Sequence, residues 1–180
     1  MTRIVRLFVA FLFVVFMGCN VNAENLEKED YEVYVNQIVK EFAQVMKEDL
    51  GLRCIGEGGR MPYDVETIAV DFISYQNASI DQARLLEVKA TEKLLQIVNN
   101  HEKIRPYLRE FPFKFNRADV SIAFRKTDNS RYTDRSVTLV YQAKNKIYYR
   151  RYNPLSDQLQ PLAEEPYEEA LIKVGKSTQK

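Results

Sequence analysis

A chain of 180 residues, 46% hydrophobic and 28% charged, is long enough for one domain with its own core and is neither disordered nor fibrous in composition. Its formal charge is +1, and without residues 1–23, which hold Arg3 and Arg6, the balance is 24 minus 25, or −1. A balance so close to zero gives no ground for a nucleic-acid-binding protein or for general attraction to an anionic surface.

Arg3 and Arg6 precede an unbroken apolar run, residues 7–17, and small residues follow it. This is the pattern of a secretory signal peptide over residues 1–23, to be excluded from the fold. The run is shorter than the ~20 apolar residues that a spanning helix needs. Val21-Asn22-Ala23 offers a cleavage point with Glu24 as the mature start. Gly18-Cys19 offers the alternative, a bacterial lipobox with lipid on Cys19, although Phe16 and Met17 depart from its usual pattern. The chain is therefore expected to be exported, periplasmic or secreted, or else lipid-anchored to a bacterial membrane, with membrane contact only in the second case. Either route removes Cys19, which leaves Cys54 as an odd thiol: free, or spent in a disulfide that links a homodimer.

Residues 24–30 read as a mobile acidic segment ahead of a single domain over 31–175, with 176–180 as a tail. Tyr31, Tyr34, Val35, Ile38, Phe42, Val45 and Met46 mark an amphipathic helix over 31–50, with Gly51 placed to end it. Residues 51–63 hold Gly51, Gly56, Gly58 and Gly59, four of the six glycines, and read as a loop. No Gly-Lys-Ser/Thr follows, so it is not a phosphate-binding loop. Residues 65–74 alternate as a half-buried strand. Ser79 and Gln82 make a capping box that starts a second helix, with Ala83, Leu86, Ala90, Leu94, Ile97 and Val98 as its stripe. Arg105-Pro106 should end that helix, and Asn99, Glu102 and Arg105 are placed to hold the Phe111-Pro112-Phe113 turn. Three strands follow, over 118–126, 136–143 and 146–153, the last two joined by a tight turn at Lys144-Asn145. Residues 153–161 read as a loop, and a short helix runs from Pro166 to Val174, ended by Gly175. The order α-β-α-β-β-β-α indicates an α+β two-layer sandwich, with helices on one face of a four-stranded, mainly antiparallel sheet.

Three chemistries are open to these residues. A thiol-dependent enzyme would use Cys54 and His101, with Glu102 or Asn99 as orienting group and Arg53 and Arg60 lowering the thiol pKa. A partner- or anion-binding loop would use Arg53, Gly56, Gly58, Gly59 and Arg60. A basic, tyrosine-rich sheet carrying Arg150 and Arg151 between Tyr141, Tyr148, Tyr149 and Tyr152 would hold an anionic polymer, glycan or lipid head group. One histidine cannot build a typical zinc site, so no metal and no cofactor is expected.

The stretches ARLLEVKATEKLLQIVNNHEKIRPYL and FPF, with GLRCIGEGGRMP upstream and PYEEAL near the end, resemble small exported bacterial proteins with no assigned activity, over residues 31–174. The resemblance implies export and carries over no site residue. The sequence thus points to an exported cell-envelope protein, a non-enzymatic binding or structural module whose partner is an envelope protein or an anionic ligand and not nucleic acid.

Overall fold

The computed structural model describes residues 23–134 and 136–177. The leader, up to residue 22, and Cys19 lie outside the described residues. The order is α1 (Ala23–Leu50), β1 (Arg53–Arg60), β2 (Thr67–Ser74), α2 (Ile80–Asn100), β3 (Ala118–Phe124), β4 (Leu139–Ala143), β5 (Lys146–Asn153), β6 (Gln158–Pro166) and α3 (Tyr167–Ser177). The strands form one sheet in the order β1-β2-β3-β4-β5-β6.

The α+β class stands, but the sheet has six strands where four were expected, and it is mixed. β2 and β3 run parallel, and every other neighbouring pair is antiparallel. The physical reason is α2: a helix-long connection carries the chain back to the end it left, so the next strand pairs parallel. The two added strands are the edges. β1 is the glycine-rich stretch read as a loop, and β6 begins inside the 153–161 stretch read as a loop and runs on to Pro166. α1 starts at Ala23 instead of Tyr31, so residues 24–30 are helical where a mobile segment was expected. α3 continues through Gly175 to Ser177.

Alternation along the strands decides which face is covered. Ile68, Val70 and Phe72 of β2, Val120, Ile122 and Phe124 of β3, Val140 of β4 and Ile147 and Tyr149 of β5 are buried. They face the helices: α1 lies over β1 and β2, α2 over β3 and β4, and α3 beside α2 over β5 and β6. Phe42 of α1 meets Phe72 edge to face, with ring centroids 5.3 Å apart. The capping box starts α2: Ser79 Oγ accepts from Gln82 N, and Gln82 Oε1 accepts from Ser79 N. α2 stops at Asn100, earlier than expected, and a 3-10 helix over Glu102–Tyr107 holds Pro106 inside it. Asn99 makes two hydrogen bonds to the Phe113 backbone and Arg105 lies over the Phe111 ring, so these two residues do hold the turn. The Lys144-Asn145 turn has φ of 49° and 64°, the left-handed pair that a two-residue hairpin requires.

Gly59 is the glycine that the fold demands. Its φ is +154°, and a Cβ there would stand 2.3 Å from the Thr67 carbonyl oxygen across the β1–β2 pair. Gly59→Ala is expected to lose ~1–3 kcal/mol of stability, the cost of a strained backbone residue. Gly58, with open space around it, supplies the control: Gly58→Ala should leave the urea midpoint nearly unchanged, and equal losses at both positions would refute the steric account.

Candidate functional site

Among the described residues no helix covers the second face of the sheet. Pairing places its side chains in rows across the strands. One row runs Arg53, Ile73, Ala123, Leu139, Arg150; the next runs Gly56, Asp71, Ser121, Tyr141, Tyr148, Glu164. At ~4.8 Å between strands, the row from Arg53 to Arg150 spans about 19 Å. The β3 positions of the two rows, Ala123 and Ser121, are small, and the rings and the Arg150 guanidinium stand on β4 and β5.

The β4–β5 end is aromatic and cationic. Tyr141 and Tyr148 are directly opposite across the pair and stack, centroids 5.3 Å apart at 16°. Arg150 lies 5.8 Å from both ring centroids and donates to the Tyr141 hydroxyl at 3.0 Å. The guanidinium is thereby held over the rings. Arg125 follows β3 in the same alternation as Asp119, Ser121 and Ala123. It has no acidic partner among the described residues, and burial together with neighbouring Arg131 holds its guanidinium below the usual value. Arg131 in turn sits 4.7 Å over the Tyr152 ring and pairs with Asp157. At the opposite side of the face Asp71 accepts from the Ser121 hydroxyl.

The residues expected from sequence divide between this face and elsewhere. Arg53 and Arg150 share one row. Arg151 does not: strand alternation turns it to the other side, where it lines a recess of about 250 Å³ with Thr133, Asp134, Tyr152, Asn153, Pro154 and Gln160. Tyr149 also turns inward, into the core. Gly56, Gly58 and Gly59 belong to an edge strand and not to a loop. Arg60 is not free for an anion, since it pairs with buried Glu66, to which Arg109 also comes within 2.7 Å.

Cys54 and His101 are not brought together. Cys54 is paired with Phe72 near the end of β2, and its Sγ donates to the Gly56 carbonyl at 3.6 Å. His101 caps the 3-10 helix: its Nδ1 accepts from Ile104 N at 3.2 Å, and its ring lies against Tyr34. That 3-10 helix leads to Leu108, which bridges Val65, just before the start of β2. The two residues thus lie at opposite ends of β2, separated by roughly 17 Å of strand. Burial pushes the Cys54 thiol up, and Glu57 and Asp71 add to it, the reverse of the lowering expected from Arg53 and Arg60.

A second polar group lies under the helices and was not expected. Glu165 of β6 accepts from Tyr149 Oη at 2.6 Å, Arg84 Nε at 2.5 Å and Lys173 Nζ at 2.5 Å. Burial alone would raise its pKa, but the hydrogen bonds from Lys173, Tyr149 and Arg84 together hold it below the usual carboxylate range. Close by, Glu87 is fully buried with neither carboxyl oxygen hydrogen-bonded. Burial pushes it well above the usual range, so it is held as the neutral acid. Burial likewise raises the phenols of Tyr149 and Tyr167, with Glu165 adding to the first and Glu92 to the second. The sequence signal for this was present: Glu87 lies four residues after Ala83 and three before Ala90, on the apolar stripe itself.

No group of three or more His, Cys, Asp or Glu side chains among the described residues is placed to hold a metal ion. No described helix is long and apolar enough to cross a membrane. The chain matches no protein-family model, no curated protein and no solved structure.

Proposed function

We propose that this chain is a non-enzymatic binding module of the cell envelope, exported by its leader, that takes an anionic, chain-like ligand across the uncovered face of its sheet. The observation that carries the reading is the Tyr141–Tyr148 stack with Arg150 fixed over it, in line with Arg53 and beside the unpaired Arg125. Stacked phenol rings give a flat surface for sugar or other planar groups, and guanidinium groups give charge-assisted hydrogen bonds to carboxylate or phosphate. The ~19 Å row suits several units of a polymer better than one small molecule.

Calorimetric titration with a short oligogalacturonate tests this, with its methyl ester as the uncharged control. Arg150→Ala and Arg125→Ala are each expected to weaken binding of the acid about tenfold, the loss of one charge-assisted contact worth ~1.5 kcal/mol. Arg151→Ala, on the other side of the strand, should change little. Acid and ester binding equally well, or Arg151→Ala weakening binding as much as Arg150→Ala, would remove the reading.

A further inference from the structure

We infer that Arg125 and Arg131 together form a subsite at one end of the open face, and that it takes the tetrahedral oxyanion of a phosphate or sulfate monoester. This use of the two arginines rests on the anion-binding reading of the open face and names the group that its cationic end selects.

The two arginines stand at the two ends of one tight loop. Asn129 N donates to the Lys126 carbonyl and Lys126 N to the Ser130 carbonyl, so the chain turns back between them. The loop is fastened to the sheet: Arg53 donates to the Tyr75 hydroxyl at 3.4 Å, and that hydroxyl donates to Asn129 Oδ1 at 3.3 Å. Arg125 continues β3 on the open face, with its backbone N–H on the Ser74 carbonyl. Arg131 lies 4.7 Å over the Tyr152 ring. Thr138 joins the two sides, since its carbonyl accepts from Phe124 N and its hydroxyl from Tyr152 N. Arg125 and Tyr152 are therefore two strand spacings apart, ~10 Å. Across that gap Arg131 is near enough to act with burial, the larger cause, in lowering the Arg125 pKa.

One of the two guanidinium groups has an acid and the other has none. Asp157 accepts from Arg131 at 3.1 Å and from the Tyr152 hydroxyl at 2.9 Å, which fixes Arg131 against the ring. Asp128 accepts from Ser130 N within the turn, and Asp134 from Asn77 and Ser136. Half-buried Arg125 pairs with no acid among the described residues. Two guanidinium groups against one carboxylate leave positive charge uncompensated, and partial burial makes that costly. A carboxylate offers a single edge of two oxygens and satisfies one guanidinium fork. A phosphate or sulfate monoester offers three terminal oxygens, so two forks can each take an edge of the same group. The ester bond then leads the rest of the ligand along the face toward Arg150, one row away.

Titration of the full chain with inorganic phosphate, methyl phosphate and acetate, followed through the arginine Nε–Hε signals by NMR, tests this. The Arg125 and Arg131 signals are expected to shift together with one dissociation constant, and methyl phosphate to bind as tightly as phosphate. Acetate should bind about tenfold more weakly, the loss of one charge-assisted contact. Arg125→Gln and Arg131→Gln should each weaken phosphate by a similar factor, while Arg151→Gln does not. Two signals that shift with different constants would mean separate ions on separate side chains, and acetate binding as tightly as phosphate would mean no selection for a tetrahedral group; either overturns the proposal. Methyl phosphate binding far more weakly than phosphate overturns it too, since the subsite then excludes an ester. The wild-type signals decide these points even where a variant fails to fold. Oligogalacturonate titration reads Arg150 separately: phosphate binding without oligogalacturonate binding removes the polymer reading and leaves the subsite, and the converse removes the subsite alone.

Discussion

Replacing Glu87 with glutamine is expected to stabilise the fold progressively as pH rises above the ordinary carboxylate range. Glu87 is buried with no hydrogen-bond partner, and burial holds it protonated well above its usual range. In the unfolded chain the same carboxyl ionises near its reference value of ~4.3. Between those two limits the folded state binds more protons than the unfolded state, so stability falls as pH rises, by up to ~1.4 kcal/mol per pH unit for one group. Glu87→Gln has no proton to lose and escapes that slope. Wild type and variant should match near pH 4 and diverge upward, read as the difference in urea midpoint across pH. A difference that stays constant with pH would rule out ionisation as its source. Glu87→Met goes further by removing a buried polar group without leaving a partner unsatisfied. Glu165 works in the other direction. Its carboxyl is held low by Lys173, Tyr149 and Arg84, so its stabilisation is present above the unfolded carboxylate value and is lost as pH falls through the folded one. The glutamine variant should therefore keep the acid limb of the wild-type profile and lose the decline at higher pH.

The pH profile exposes what periodicity could and could not convey. α2, β2, β3 and β5 were legible because apolar residues recur at 3.6 or 2 along them, and the Ser79–Gln82 capping box was legible because its two bonds need only local spacing. β1 and β6 were not. β1 reads RCIGEGGR, with three glycines and one strongly apolar residue. An edge strand needs only one hydrogen-bonded neighbour and here contributes little to the core, so glycine composition does not prevent pairing. β6 carries Pro161 and Pro166, which a central strand could not hold but an edge strand tolerates where the missing N–H faces outward. Both errors share a cause: pairing along an edge is decided by a distant neighbour, not by the strand's own pattern.

The same distinction governs the site. Tyr141, Tyr148 and Arg150 could be placed on one face from alternation and the short Lys144-Asn145 turn, because the turn sets the register. Arg150 and Arg151, adjacent in sequence, had to part for the same reason. Glu87 escaped attention because a charged residue on an apolar stripe reads as a break in the pattern. In the fold it faces Tyr149 and Tyr167, phenols brought in by β5 and α3 from far along the chain. The folded molecule therefore has two polar regions of different character. The open face is solvated and spreads its cations, whereas the cluster under α2 and α3 is largely buried and concentrates partially compensated charge where α2, β5, β6 and α3 meet.

Removing Glu165 is the larger test of that buried cluster. Glu165→Leu leaves the half-buried Arg84 guanidinium without its inner partner and the Tyr149 hydroxyl without an acceptor, while Lys173, about half exposed, returns to water. Arg84 keeps Asp81 at the rim, but that exposed carboxylate does not replace a buried one. Breaking one side of a buried pair typically loses ~3–5 kcal/mol, most of it the desolvation of the charge left behind. Tyr149→Phe removes one hydrogen bond and keeps the ring, and should lose only ~1–1.5 kcal/mol. The double variant Arg84→Met, Glu165→Leu should recover much of the Glu165→Leu loss, because removing both charges also removes the uncompensated one. Urea denaturation of Arg84→Met, Glu165→Leu and the double variant supplies the coupling. Additive losses would mean that Arg84 and Glu165 act independently and that the cluster holds α2, β6 and α3 together through packing alone. A double variant more stable than Glu165→Leu would show that the ion pair secures the α2–α3 layer on the sheet, so the strands beneath it keep their register and the uncovered face on the other side keeps its rows.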